Sequence, residues 1–339
     1  MTTVHERPTE TSESPLLRAT NIVQEFSVRG AAGLKSGVVH AVSDVSFDIH
    51  AGETLGVVGE TGSGKSTLAR AIMQSPRAKS GEVHFQGTDL TRLRRRKLVA
   101  ARRQLQMVFQ DPFGSLNPKW RVSELVEEPL VGYGTSGSNG RRQRVRELLD
   151  LVGLNPDSYG RRRPHELSGG QCQRVAIARA IALQPALIVC DEAVSSLDVL
   201  IQAQVLNLFE RLRSELGLSY LFISHDLALV KQISDRVAVL HLGQLCEIGP
   251  SEGIYRAPRH PYTAALLASI PTLGAGSGRA RRPKPISGEP PSALHPPSGC
   301  RFRTRCPRAA QKCADEVPQL RESAAGHRVA CHFPLDETP

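Results

Sequence analysis

TLGVVGETGSGKST, residues 54–67, decides the fold. Its first part, TLGVVG, is a short, almost unbroken apolar run ending in glycine, as expected for a strand buried on both faces of a sheet. Its second part, GETGSGKST, matches the phosphate-binding pattern G-x-x-x-x-G-K-[ST] and predicts a helix from near Lys65. Glycines let backbone N–H groups close around phosphate oxygens, and the helix N-terminus adds its positive dipole end. The Lys65 ammonium reaches the β- and γ-phosphates, and the Ser66 hydroxyl is offered to Mg²⁺. Gly59, Glu60, Thr61, Gly62, Ser63, Gly64, Lys65, Ser66 and Thr67 therefore form the expected nucleotide-binding loop.

Strand and helix go on alternating in the second half of the chain. A helix over about 169–183 is followed by the strand ALIVCD, a helix around QAQVLNLFERLRSE, the strand SYLFIS, a helix at 226–233, and strands near RVAVLHLG and QLCEIG. Such interleaving predicts an α/β core. Within it, LIVCDE (187–192) sets two carboxylates at the end of a buried strand, where a carboxylate has little reason to be unless it acts. Asp191 is suited to the Mg²⁺ shell, and Glu192 to orient and polarise an attacking water. LSGGQ (167–171) opens a helix with Ser168, Gly169, Gly170 and Gln171. That is a second anion site in a chain that already has one, and it suggests nucleotide held between two subunits.

Upstream of the loop, VVHAVSDVSFDI (38–49) alternates apolar and polar residues and reads as a strand, a short turn and another strand. Residues 1–15 are polar and read as a mobile tail, with order expected from about Leu16. The middle third reads as a helical insertion carrying two basic runs, RLRRRKLVAARR (92–103) and RRR (161–163). Between them VGYGTSGSNG (131–140) is a flexible link, and RRQRVRELLDLVGL (141–154) sets Val145, Leu148, Leu149 and Val152 on one helical face. The ordinary reading of the basic runs is solvated helix faces. After Pro271, TLGAGSGRARRPKP reads as a linker into a small, separate tail.

The 339 residues suggest roughly two domains at the usual domain size. The balance of 43 Lys plus Arg against 33 Asp plus Glu gives a net charge of +10, so some face should attract anions. No window approaches the length of apolar chain that a spanning helix needs. MTTVHERPTETSESP has no apolar stretch, hence no secretory signal, and a cytosolic setting is expected in which structural disulfides are rare.

With LSGGQ followed by the arginine-containing QRVAIARA, the chain closely resembles the ABC ATPases. The resemblance implies a P-loop NTPase core of ABC type over 16–255, with an antiparallel β subdomain and a helical subdomain at about 92–168. It also assigns further roles. Gln110 in VFQDP links the nucleotide site to a transmembrane partner and joins Ser66 and Asp191 around Mg²⁺. Asp198 of SSLD crosses a dimer interface, His225 in FISHDL contacts the γ-phosphate of ATP, and Phe26 in EFSV stacks on adenine. QDPFGSLNP, VEEPL, DVLIQAQVLNL and HPYTAALLASIP narrow the resemblance to the ATPase subunits of dipeptide and oligopeptide importers, with 256–339 as their C-terminal extension. Nickel and glutathione importers share much of the pattern. The implied partners are a second, non-identical ATPase, two transmembrane permease subunits and an extracytoplasmic peptide-binding protein, with association at the cytoplasmic face of the membrane. Two departures stand out: Cys172 where the family usually has Arg after LSGGQ, and Ala193 where Pro usually follows the catalytic Glu. Neither removes a phosphate, metal or water ligand. A soluble ABC ATPase acting on nucleic acid or ribosomes is the rival class, and the single phosphate loop and the tail argue against it.

Seven cysteines are unevenly spread. Cys172, Cys190 and Cys246 are isolated and read as inert packing. Cys300, Cys306, Cys313 and Cys331 crowd the tail as C-x5-C-x6-C-x17-C, which supports a four-thiolate site without naming the metal. Resemblance to the importer subunits implies a [4Fe-4S] cluster; zinc and free thiols are the alternatives.

Overall fold

The computed structural model describes residues 14–29, 35–135, 137–270, 288–289 and 291–335. Most of the expected N-terminal tail and the expected linker after Pro271 lie outside the described residues. The chain opens with β1 (Leu17–Arg29) and β2 (Lys35–Ile49), paired antiparallel from Leu17↔Ile49. Where a turn is expected inside VVHAVSDVSFDI, β2 runs on unbroken. The turn-forming residue is absorbed as an irregularity: Asp44 and Asn21 both take positive φ, and Asn21 Nδ2 donates to Asp44 Oδ1 at 2.5 Å across the register shift.

β3 (Thr54–Val58) is buried at every position, and α1 (Lys65–Ile72) follows the phosphate loop as predicted. β4 (Ser80–Phe85) and β5 (Thr88–Asp89) complete a four-stranded antiparallel sheet in the order β2-β1-β4-β5. The basic run 92–103 forms α2 (Arg95–Arg102), and the chain then enters β6 (Leu105–Val108). β6 pairs in parallel with β7 (Leu187–Asp191), so residues 105–108 belong to the main sheet. The helical part therefore starts later than residue 92. Leu98 of α2 shares an apolar cluster with Ile72, Phe85 and Leu105, and this anchors the run to the core.

Helices α3 (Val122–Gly132), α4 (Ser138–Leu151) and α5 (Pro156–Tyr159) form the helical part. The expected flexible link is thus helical at its two ends, 131–132 and 138–140. Val145, Leu148, Leu149 and Val152 are buried together, as their spacing predicts. The core resumes with α6 (Gly169–Ile181), β7, α7 (Val199–Leu216), β8 (Ser219–Ile223), α8 (Leu227–Ile233), β9 (Arg236–His241) and β10 (Gln244–Pro250).

Beyond β10 come α9 (Ser251–Arg256), α10 (Pro261–Ala268), α11 (Gln311–Asp315), β11 (Arg321–Ala324) and β12 (His327–Val329). The tail is not the separate appendage expected. β12 pairs antiparallel with β10, extending one eight-stranded sheet in the order β11-β12-β10-β9-β3-β8-β7-β6. Its parallel strands β9-β3-β8-β7-β6 bring the ends of β3, β6, β7 and β8 to one edge, where an open α/β sheet holds its ligands.

Candidate functional site

The phosphate loop leaves β3 and turns into α1 at Gly64, whose φ is +101°. A Cβ there would stand 2.1 Å from the Ala41 carbonyl oxygen, so only glycine lets β2 close on the loop. Lys65 folds back over the loop, its Nζ donating to the carbonyls of Gly59 at 2.7 Å and Glu60 at 3.0 Å. Burial lowers its pKa, opposed by the charges of Glu192, Asp191 and Glu60. Thr61 to Thr67 line an open cleft shared with Phe26, Val39, Gln110, Glu192 and His225. Phe26 is 41 % exposed on that wall.

Ser66 Oγ donates to Asp191 Oδ1 at 2.7 Å, and burial raises the Asp191 pKa against that hydrogen bond. Next to it, Glu192 takes φ +49°, a costly conformation for a residue with a Cβ. The turn is held by Glu192 N–H donating to Ile223 O at 3.0 Å and by Ser195 Oγ donating to Glu192 O at 2.9 Å. The carboxylate meets Gln110 and His225: Gln110 Nε2 donates to Oε2 at 2.8 Å, and His225 Nδ1 lies 3.4 Å from Oε1. Gln110 is thus directed at Glu192 and not at the Ser66–Asp191 pair that it was expected to join. The structure brings the phosphate loop, Asp191, Glu192, Gln110 and His225 to one place.

LSGGQ is elsewhere. Its residues do not line that cleft. Ser168 caps α6 with a reciprocal pair, Gln171 N–H to Ser168 Oγ at 3.3 Å and Ser168 N–H to Gln171 Oε1 at 3.0 Å. Asp198 caps α7 by accepting from Ile201 N–H at 3.0 Å, and the following Val199 and Leu200 are each 78 % exposed. Cys172 and Ala193, the two departures, are both buried; Cys172 Sγ lies 3.5 Å from Pro164 O, and burial pushes its pKa up to about 11.

In the tail, Cys300, Cys306, Cys313 and Cys331 line one small cavity with His260, Phe302, Arg303 and Arg308. Burial raises Cys300 and Cys306 and pushes Cys331 up to about 11, each further raised by neighbouring thiols of the set. Cys246, read as isolated, is buried close enough to Cys300 and Cys331 for both to raise its pKa.

The ABC transporter family profile matches residues 42–195, and the profile for the oligopeptide/dipeptide transporter C-terminal region matches residues 246–313. The oligopeptide transport ATP-binding protein AppF of Bacillus subtilis (strain 168) is 45 % identical over 327 residues, which cover 96 % of this chain and 99 % of AppF. The chain belongs to the ABC transporter ATP-binding proteins. YkfD of the same organism, whose name also assigns it to oligopeptide transport, is 49 % identical over 320 residues, covering 94 % of this chain and 95 % of YkfD. Among solved structures, the dimeric ATP-binding cassette MJ0796 in a post-hydrolysis state with ADP and Pi superposes with a TM-score of 0.62 at 28 % identity, covering 69 % of this chain and 98 % of that one.

For this ABC ATPase, reading the sequence missed the residues that join tail to core. Arg305 makes a two-pronged pair with Glu60 of the phosphate loop, and Tyr262 OH accepts from Glu60 N–H at 2.9 Å. Glu247, fully buried, accepts from His327 Nε2–H at 2.7 Å and from the N–H groups of Arg259 and His260. A buried carboxylate inside QLCEIG was the available signal, since such a group needs partners from elsewhere in the chain.

Proposed function

We propose that this ATPase powers the import of dipeptides or oligopeptides, working at the cytoplasmic face of the membrane through permease subunits. The observation that carries this is the joining of a complete ATP site to a C-terminal region of the oligopeptide/dipeptide type within one sheet. The names of AppF and YkfD support peptide over nickel or glutathione as cargo. No helix among the described residues is long and apolar enough to cross a membrane, so attachment rests on partners. The helical part offers the face for them: Trp120 and Val131 stand exposed and line a groove with Glu124, Glu127 and Glu128.

Two ATPase subunits, here a non-identical pair, close so that ATP on Lys65 of one meets Ser168, Gly169 and Gly170 of the other. The dimer of MJ0796 and the distance of LSGGQ from the cleft of its own chain support this arrangement. Asp198 would lie at that junction, and the exposure of the following Val199 and Leu200 supports this. Ser66 and Asp191 would hold Mg²⁺, which when bound neutralises charge on the phosphates, and Gln110 would join them only on leaving Glu192. The oxygen pair of Ser66 and Asp191 suits such a hard cation. Glu192, held by strain and by two neighbours, orients and polarises the attacking water, and His225 donates to the γ-phosphate. An extracytoplasmic peptide-binding protein would deliver the cargo.

The four tail thiols fit a [4Fe-4S] cluster better than zinc. Zn–S bonds of about 2.3 Å put tetrahedral sulfurs roughly 3.8 Å apart. Among the described residues the only ligand trio within 4.8 Å is Glu82, His84 and Asp89, so no three of the four sulfurs are that close. A cluster interposes iron and sulfide and accommodates the wider spacing. Its chemistry would be electron storage or structural clipping, and iron and sulfide assays test for it.

The test of the hydrolytic reading is Glu192→Gln. In the assembled transporter it retains MgATP binding and a closed ATPase pair, while hydrolysis at this site falls at least about 100-fold. Undiminished turnover with the partner subunit's site also disabled would overturn the role.

A further inference from the structure

The phosphate loop is gripped from outside by the tail. Glu60 is the loop's second residue, and every polar group it carries is engaged. Its carbonyl accepts from Lys65 Nζ at 3.0 Å, its N–H donates to Tyr262 OH at 2.9 Å, and its carboxylate takes Arg305 Nη1 at 2.7 Å and Nη2 at 2.8 Å. The Arg305 side chain is only 5 % exposed. Thr61 to Thr67 line the nucleotide cleft and Glu60 does not, so the fork draws the carboxylate off the cleft wall.

Arg305 is itself fixed by its setting between Cys300 and Cys306. Arg301 donates to Leu242 O and, at 2.9 Å, to Ser43 Oγ. Phe302 is buried against Tyr262, with ring centroids 5.2 Å apart, and against His241 at 5.4 Å. The loop that carries two thiols therefore ends on the phosphate loop. A free carboxylate beside a bound triphosphate would repel it, and the low-dielectric surroundings would strengthen the repulsion. A guanidinium both neutralises that charge and fixes its direction, which a point-like ammonium does not.

We infer that Arg305 is a positioning residue for ATP: through its fork on Glu60 the tail sets the affinity of the phosphate loop. This rests on the phosphate-binding role given above to residues 59–67. In the full chain titrated with MgATP, Arg305→Ala raises Kd and KM by roughly 5- to 30-fold while kcat stays within about twofold, the size expected for losing a charge-assisted bidentate pair. Because the harm comes from the freed carboxylate, Glu60→Gln in the same chain restores most of the affinity. In a Glu60→Gln background Arg305→Ala then changes Kd by less than about threefold. If Arg305→Ala does not fold, Arg305→Met, which keeps the buried stem, takes its place in the cycle. A folded Arg305 variant with wild-type Kd, or a double variant no better than the single one, overturns the inference. Lys65→Ala serves as the reference: if it too binds MgATP normally, the phosphate-loop reading fails instead.

Discussion

Asp191 is under two opposed demands. Burial raises its pKa, so ionisation there is costly to the fold, and only the Ser66 hydroxyl and nearby Arg70 and Lys65 offset it. A divalent cation would repay that cost when nucleotide is bound. Asp191→Asn keeps an oxygen for Ser66 to donate to and removes the buried charge. The nucleotide-free chain should then melt no lower than wild type and up to about 1 kcal/mol more stably, while Mg²⁺-dependent hydrolysis falls at least about 100-fold. Thermal melts and ATPase rates check both halves; a marked loss of stability would show that the carboxylate is structural. That Lys65, Ser66, Glu192 and His225 come to one cleft, with Asp191 bonded to Ser66, was legible in the sequence, because loop and strand-end motifs fix position; their roles stay proposals. The partnership of Gln110 with Glu192 was not, since it depends on how the ends of β6 and β7 lie against each other.

At the scale of elements, segments marked by a buried apolar run or by helical spacing were read correctly, whereas β6 and β12 were missed and β2 was divided by a turn that it does not make. α6 and α7 follow from their spacing, and their close approach is set by Gly170, where a Cβ would stand 2.4 Å from Ile201 Cγ2. β6 was hidden because four residues between basic runs carry too little periodicity to register. β12 was hidden for the same reason, and its place beside β10 rests on a side-chain pair: His327 Nε2 to Glu247 Oε1, both buried. His327→Ala should take from Glu247 its histidine donor, leaving the backbone donors of Arg259 and His260, and cost about 1–3 kcal/mol, as when a buried acceptor loses a partner. Chemical denaturation checks this, and His327→Gln, which keeps a donor, should lose less. An unchanged midpoint for His327→Ala would mean that the strand pairing stands without the side chains.

As a whole molecule the ATPase has two sheets, and in the larger one the strands that lead to the ATP cleft, β3-β8-β7-β6, lie toward one end while β12 and β11 of the tail lie at the other. The net charge of +10 is spread over helices that are partly tied down: Arg102 donates to Met73 O and Gln74 O, Arg92 pairs with Glu82 and Asp89, and Arg162 stacks over Tyr159. A tail built into the sheet would give a metal held by its four thiols a global consequence. Purified without oxygen, the full chain should contain iron and sulfide together, and Cys306→Ser should lose them. Stoichiometric zinc without iron would reverse the assignment. The sequence by itself determined the ATP site, the α/β core and the four-thiol set, because each is written in local spacing that backbone geometry converts directly into position. Only the tertiary structure decided that the tail closes the sheet edge and that Arg305 reaches Glu60. Arg305 and Glu60 are 245 positions apart and His327 and Glu247 are 80 apart, and their pairing is selected by burial and charge compensation in the folded chain, which no local pattern encodes.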